Sequence, residues 1–177
     1  ANLDLREAIE RDEPVGVTVL SVKTGTKKLR LISDNILELL KQAAEGGLPV
    51  FVDSGAFGLY AKDIEMPWDL VEEQYLRILE SVDPQFRNKL YFVAPDVVGD
   101  IKGTVSALET NDWWKWFADK GVNVIYPVPM EKGVSFGDSL NEVGGADIDW
   151  DPNIGSVIGV PFNKAAWSEE DILDFYG

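Results

Sequence analysis

The chain has 177 residues, of which 45% are hydrophobic, so it can bury a core and is predicted to form a single α/β domain over 1–177. It contains no cysteine and no histidine, which excludes disulfides, thiolate zinc sites and imidazole bases and leaves acid and base chemistry to Asp, Glu, Lys or Tyr. The net charge of −15 argues against a broad nucleic-acid surface, because affinity for phosphates comes mainly from Lys and Arg.

No apolar segment approaches the roughly 20 residues that span a bilayer, and the N-terminus lacks the plan of a signal peptide, so a cytoplasmic protein without membrane contact is expected. A small basic patch is the local exception to the acidic charge. It comprises Lys23, Lys27, Lys28 and Arg30. Because the chain opens on Ala and closes soon after a helical pattern begins, it is interpreted as a trimmed chain or a fragment of a longer barrel.

From the N-terminus, apolar segments alternate with helical patterns. The first apolar segment is β-branched, as buried parallel strands tend to be. Ser33 or Asp34 can cap the first helix, which Gly46 stops, and Pro67 suits the first turn of the next helix. The predicted elements are a strand at 15–22, a basic turn at 23–30, a helix at 34–46, a strand at 48–52 and a helix at 67–82.

The C-terminal half repeats this alternation, with one irregular Gly- and Asp-rich stretch at 133–153. The predicted elements are a strand at 90–93, a helix from 102 to 121, and strands at 122–126 and 156–160, followed by a helix at 168–176. Alternation at this spacing predicts a parallel sheet with right-handed crossovers. Five βα units do not close an eight-stranded barrel of about 250 residues, so the expected fold is a partial or reduced, TIM-barrel-derived one, with an open doubly wound sheet as the alternative.

The most informative junction is the apolar strand that delivers Asp53 and Ser54 to its C-terminal end and turns on Gly55. Parallel α/β folds present catalytic carboxylates at such strand ends. Asp96 follows the next long strand, and two nearby carboxylates raise one pKa, which suits proton transfer near neutrality. Phe57, Tyr60 or Tyr126 can stack on a heterocycle.

Structural interpretations compete with these functional ones. Asp53 before Ser-Gly is also an ordinary turn former, and Asp100 fits the N-cap of the following helix. The loop at 147–153 alternates oxygen side chains like the first half of a calcium loop, but Pro152 stands where that loop needs Gly. It is therefore predicted to be a solvated acidic loop, and no metal or cofactor is expected.

Four segments together resemble the tRNA-guanine transglycosylase superfamily, and most of all its short relatives in mobile elements, the deazapurine DNA-modification transglycosylases. The resemblance covers 48–165 and is most specific at the Asp-Ser-Gly-aromatic turn. The segments are the Asp53-Ser-Gly-Ala-Phe57 turn, Ala94-Pro-Asp96 with Asp100 soon after, Pro127-Val-Pro129, and Ile158-Gly-Val160.

The resemblance implies a general acid/base role for Asp53 and recognition of the base edge by Asp96. The sequence departs from the family pattern in two respects. No Asp-bearing strand follows Pro161 to supply the covalent nucleophile, and the family's Cys- and His-containing zinc site has no counterpart. The substrate-binding residues expected beside the two acids are Ser54, Gly55, Phe57, Asp100, Tyr126, Pro127 and Gly159.

The first functional hypothesis is a transglycosylase-like protein that exchanges or binds a purine or 7-deazapurine base in DNA or tRNA. The second is a non-catalytic, barrel-derived binding module with a protein partner, and a third is a Mg²⁺-dependent hydrolase that uses Asp53, Asp96 and Asp100. An incomplete barrel exposes sheet edges, so a homodimer or a partner chain is also expected.

Overall fold

The computed structural model describes residues 2–145 and 157–159 of the chain. A five-stranded sheet, parallel throughout, forms the centre, and a two-stranded antiparallel hairpin stands beside it. The strands are β1 (Val15–Thr18), β2 (Leu20–Val22), β3 (Leu29–Leu31), β4 (Val50–Asp53), β5 (Leu90–Val93), β6 (Asn123–Pro127) and β7 (Val157–Gly159).

Helices connect the parallel strands. Ser33 and Asp100 cap two of them, because their side-chain oxygens accept the backbone N–H of Ile36 and Gly103. The helices are α1 (Asn2–Glu10), α2 (Asp34–Glu45), α3 (Ala56–Tyr60), α4 (Trp68–Ser81), α5 (Ile101–Thr110), α6 (Trp113–Asp119) and α7 (Phe136–Gly144), and a 3₁₀ helix spans Pro84–Lys89.

The sheet order is β1-β4-β5-β6-β7, so the parallel strands are neighbours in the order in which the chain makes them. A doubly wound sheet instead reverses its strand order at a switch point. The described strands show no such reversal. The expectation of an α/β fold with about five parallel units is confirmed at this level.

The helices cover one face of the sheet. Val50 and Val52 of β4 and their β5 partners Leu90 and Phe92 are buried in the main core. Since side chains alternate along a strand, the intervening positions point to the opposite face, where Asp53 lies.

Three predicted elements differ from the structure. The strand at 15–22 is two strands, because β4 ends at Asp53 and the chain after Val19 pairs with β3 instead. The basic turn at 23–30 therefore ends in β3. The helix at 102–121 is broken into α5 and α6, since the Asn111 side chain bonds the Ala107 carbonyl and the chain leaves the helical path there.

The other predicted strands and helices in the described residues agree with the structure to within a few residues. The stretch at 133–153 was expected to be irregular, but α7 (Phe136–Gly144) lies within it. The strand expected at 156–160 includes β7. The predicted helix at 168–176 and the acidic loop at 147–153 lie outside the described residues.

Candidate functional site

A pocket of about 410 Å³ opens at the C-terminal ends of β4, β5, β6 and β7. This volume lies within the range of small-molecule sites. The lining residues are Asp53, Ala56, Phe57, Tyr60, Val93, Asp96, Val98, Gly99, Ile125, Pro127, Val128, Pro129, Met130 and Gly159. The structure thus brings together six residues predicted from the sequence, namely Asp53, Phe57, Tyr60, Asp96, Pro127 and Gly159.

Asp53 is the last residue of β4 and is held by the turn that follows it. Its Oδ2 accepts a hydrogen bond from the Gly55 N–H at 3.0 Å and lies 3.4 Å from the Thr18 Oγ1, which donates to it from β1. The carboxylate is accessible to solvent at the pocket, yet the surrounding protein removes part of its hydration. This desolvation raises the pKa of Asp53, against the opposing effect of the hydrogen bonds from Gly55, Thr18 and Ser54.

The turn after Asp53 requires glycine at position 55. Gly55 has φ +93°, and a Cβ there would lie 2.1 Å from the Leu20 carbonyl oxygen. Ser54 is fully buried, and its Oγ accepts the Ala56 N–H at 3.2 Å. Ser54 and Gly55, predicted to bind substrate, therefore shape the turn and do not line the pocket.

Asp96 lies three residues beyond β5 and is the more buried of the two acids. Burial, followed by the negative charge of Asp53, raises the pKa of Asp96 to about 7. The protonated form of Asp96 is therefore accessible near neutral pH. The pocket can then both donate and accept hydrogen bonds through carboxyl groups alone.

A buried tyrosine lies beneath the two acids. The Tyr75 hydroxyl of α4 donates to the Val93 carbonyl at 2.9 Å and lies 3.3 Å from the Val52 carbonyl. It thereby links the ends of the two strands that lead to Asp53 and Asp96. Burial and the charges of both acids raise the pKa of Tyr75, so its hydroxyl stays protonated.

Two buried hydroxyls hold the loops that form the far wall. Thr104 of α5 accepts the Val97 N–H at 2.9 Å, and its Oγ1 lies 2.9 Å from the Asp100 carbonyl. Ser139 of α7 donates to the Pro129 carbonyl at 2.7 Å. These bonds attach the loops after β5 and β6 to helices in the core, so the wall is built on fixed elements.

The pocket wall is mostly apolar, and its mouth is aromatic. Phe57 and Tyr60 of α3 are 66% and 61% exposed, which leaves both rings free to contact a ligand. Gly159 closes the pocket next to Ile125, where an added Cβ would lie 2.9 Å from the Ile125 Cγ2. A flat apolar ring system suits such walls.

A second cavity of about 310 Å³ adjoins the first. The two share Ala56, Tyr60, Asp96 and Val98, and the second continues between α3 and α4 past Glu65 and Trp68. The site is therefore a cleft with two lobes, and Asp96 lies where they meet.

Two other predicted residues lie away from the pocket. Asp100 is exposed, and its Oδ1 accepts the Gly103 N–H at 2.8 Å, which is the N-cap role considered for it from the sequence. Tyr126 is buried on the helix-covered face, edge-on to Trp114 at 5.4 Å. Side chains alternate between the two faces of β6, so Ile125 and Pro127 point to the pocket and Tyr126 points to the opposite face.

Sequence reasoning misses Tyr75, Val98 and Met130 as parts of the site. The helical spacing assigns Tyr75 to the apolar stripe of its helix, and nothing in that spacing distinguishes its hydroxyl from that of a core tyrosine. Val98 and Met130 lie in loops, whose path depends on tertiary contacts.

Within the described residues, no three Asp or Glu side chains are grouped closely enough to hold a metal ion. The placement of Asp100 at a helix cap also separates it from Asp53 and Asp96. The Mg²⁺-dependent hydrolase hypothesis thus finds no support in this part of the chain. In the same residues, no helix is long and apolar enough to cross a membrane.

Comparisons of the chain with protein-family models, with curated proteins and with solved structures gave no match.

Proposed function

We propose that this protein binds a purine or 7-deazapurine base in the carboxylate pocket and exchanges it at a glycosidic bond. The observation that carries the proposal is that Asp53 and Asp96 line one pocket of about 410 Å³ and that the pKa of Asp96 is raised to about 7. The pocket also contains further residues from the segments on which the transglycosylase resemblance rests, among them Phe57, Pro127, Pro129 and Gly159.

Recognition follows from the chemistry of the walls. A purine presents N–H donors and ring-nitrogen or carbonyl acceptors along its edge. Asp96, whose pKa is raised to about 7, can accept a hydrogen bond when ionised and donate one when protonated. The apolar side chains of Ile125, Pro127 and Met130 contact the ring plane, and Phe57 and Tyr60 stack at the mouth.

Base exchange moves one proton in each direction, and Asp53 is the group proposed to move it. The step starts from the form of the pair in which Asp53 carries the proton and Asp96 is ionised. When the C1′–N bond breaks, the electron pair stays on the leaving base and the protonated Asp53 donates its proton to that nitrogen. The Asp53 carboxylate then stabilises the positive charge at C1′. The incoming base attacks C1′ through its own nitrogen and returns its proton to Asp53, so atoms and charge balance.

The sequential strand order supports a barrel-derived origin of the sheet, which would place this site where (β/α)₈ enzymes carry theirs. We propose that origin together with the function. A homodimer, or a partner chain at the sheet edges, and action on DNA or tRNA are further parts of the proposal.

Calorimetric titration with guanine, 7-deazaguanine and the matching nucleosides tests binding. We expect saturable binding that Asp53→Asn and Asp96→Asn each weaken by about 1.4 kcal/mol or more, a tenfold change. Asp119→Asn, an exposed carboxylate on α6, is the matched control and should leave the affinity unchanged. If none of these compounds binds, the proposal is wrong.

Incorporation of labelled guanine into guanine-containing DNA and tRNA then separates exchange from binding. Exchange that Asp53→Asn abolishes supports the catalytic role. Binding without any exchange would instead identify a non-catalytic binding module, the second hypothesis from the sequence.

A further inference from the structure

The hairpin β2–β3 is a cationic element in an acidic protein. Residues 19–33 contain four basic side chains and no acidic one, whereas the whole chain has a net charge of −15. All four are exposed, and within the described part of the chain none of them forms an ion pair. They are Lys23, Lys27, Lys28 and Arg30.

The pairing of the hairpin places three of these cations on one face. Ser21 pairs with Arg30 and Val22 with Leu29, and the Lys23 N–H donates to the Lys28 carbonyl at 3.0 Å. Because side chains alternate, Lys23, Lys28 and Arg30 point to the same side. Like charges directly opposite each other destabilise a strand pair unless an anion lies between them.

The tip of the hairpin is fixed by its own bonds, so the cations form a defined array. Thr26 donates from its N–H and from its Oγ1 to the Lys23 carbonyl, and its Oγ1 accepts the Lys28 N–H at 3.1 Å. Gly25 supplies the positive φ of +73° that the turn needs.

The hairpin adjoins the carboxylate pocket. The Gly55 turn packs against the Leu20 carbonyl, and α3, which carries Phe57 and Tyr60, contacts β2. At about 3.3 Å per residue, Lys23 lies roughly 10 Å along the chain from Leu20.

A cleft of about 460 Å³ runs between the hairpin and the free edge of β1, lined by Arg30, Ser21 and Thr18 among others, with Asp4 of α1 as its carboxylate. Thr18 also donates to Asp53, so one hydrogen bond joins a residue that lines this cleft to a residue that lines the pocket.

We propose that the cationic face of the β2–β3 hairpin binds the phosphate backbone of a single-stranded nucleic acid whose base enters the carboxylate pocket. This inference rests on the proposed function, because it names a strand as the form in which the base arrives. A duplex hides the base in its stack, so a protein that acts on the base needs a single strand or a base flipped out of it. The net charge of −15 repels phosphate at long range, whereas residues 19–33 carry four cations and no acid, which favours the hairpin as the place where a strand approaches.

The test measures, by fluorescence anisotropy, how tightly the protein binds a single-stranded oligonucleotide of about 12 nucleotides, as DNA and as RNA. Affinity is measured between about 50 and 200 mM salt, because phosphate binding weakens steeply over this range. The hairpin variant replaces all four cations by Gln. The control variant replaces four basic residues outside the hairpin by Gln. They are Arg6 on α1, Lys89 on the 3₁₀ helix, Lys115 on α6 and Lys120 at the C-cap of α6.

We expect the hairpin variant to bind the strand at least about tenfold more weakly at about 50 mM salt, and the control variant to change affinity less than about threefold. The logarithmic salt slope should fall by about 0.7 for each phosphate that the hairpin variant no longer neutralises. Titration with free guanine should give the same affinity in the hairpin variant and in the unmodified protein.

The inference is wrong if the hairpin variant and the control variant bind the strand equally well, or if the unmodified protein does not bind the strand. Neither result contradicts the proposed function, which the titration with free guanine tests separately. A strand with an abasic site in place of the central guanine tests the opposite outcome, in which the cationic face binds a strand but the pocket binds no purine. If it binds in a hairpin-dependent way while free guanine does not bind, the cationic face is supported and the purine pocket is not.

Discussion

The carboxylate of Asp53 raises the pKa of Asp96, because both side chains line the same pocket at the ends of the neighbouring strands β4 and β5. Burial is the larger cause and the charge of Asp53 adds to it. Asp96 therefore titrates in the range where acid and base catalysis operates.

The free energy of unfolding should fall as pH rises from about 4 to about 7. Unfolded Asp96 has an ordinary pKa and folded Asp96 one of about 7, so folding takes up a proton in this window. In Asp96→Asn, this fall in the free energy of unfolding should be smaller by about 1.4 kcal/mol for each unit by which folding raises the pKa of Asp96. Urea unfolding at pH 5 and pH 8 measures it, with Asp119→Asn as the control, and an unchanged slope in Asp96→Asn would contradict the raised pKa.

Gly55→Ala should destabilise the protein more than Gly47→Ala does. Both glycines have positive φ, +93° and +90°, and both variants incur a strain of about 1 kcal/mol. A Cβ at 55 also meets the Leu20 carbonyl, whereas a Cβ at 47 has no neighbour within 4 Å, so we expect a further loss of about 1–3 kcal/mol for Gly55→Ala. Denaturant midpoints of the two variants test this, and equal midpoints would show that the Asp53 turn tolerates a side chain.

Tyr75→Phe should lower the free energy of unfolding by about 1–2 kcal/mol, since it removes the buried hydrogen bond to Val93 and keeps the ring that packs on Phe92. Tyr91→Phe is the matched control, because the Tyr91 hydroxyl makes no hydrogen bond among the described residues. Its change should stay within about 0.5 kcal/mol. Thermal or urea unfolding of both variants decides the matter, and a Tyr75→Phe variant as stable as Tyr91→Phe would mean that the link between the strand ends contributes nothing.

Asp100→Ala should cost about 1 kcal/mol of stability, because it removes the N-cap bond to Gly103. The affinity for a purine base should remain as it is, in contrast to the loss expected for Asp96→Asn. The same calorimetric titration compares the two. A tenfold loss of affinity in Asp100→Ala would return this residue to the binding site that the sequence assigned to it.

Much of the fold was predictable because the determining signals are local. The β-branched and apolar segments predict the parallel strands, Ser33 and Asp100 cap their helices, and the Asp53-Ser-Gly turn follows from the need for positive φ at Gly55. The same signals placed Asp53 and Asp96 at strand ends, where parallel strands bring side chains together.

Other features of the site were decided only by the tertiary structure, because they depend on which strands are neighbours and on which way each side chain points. Tyr126 and Pro127 are adjacent in sequence, yet the pleat of β6 buries one and turns the other to the pocket. The hydroxyl of Tyr75 reaches the Val93 carbonyl across a helix–sheet contact between residues 18 positions apart in the chain. The basic segment becomes a paired hairpin because β4 ends at Asp53. Spacing along a sequence carries no information about such contacts, since they form only when separate elements pack.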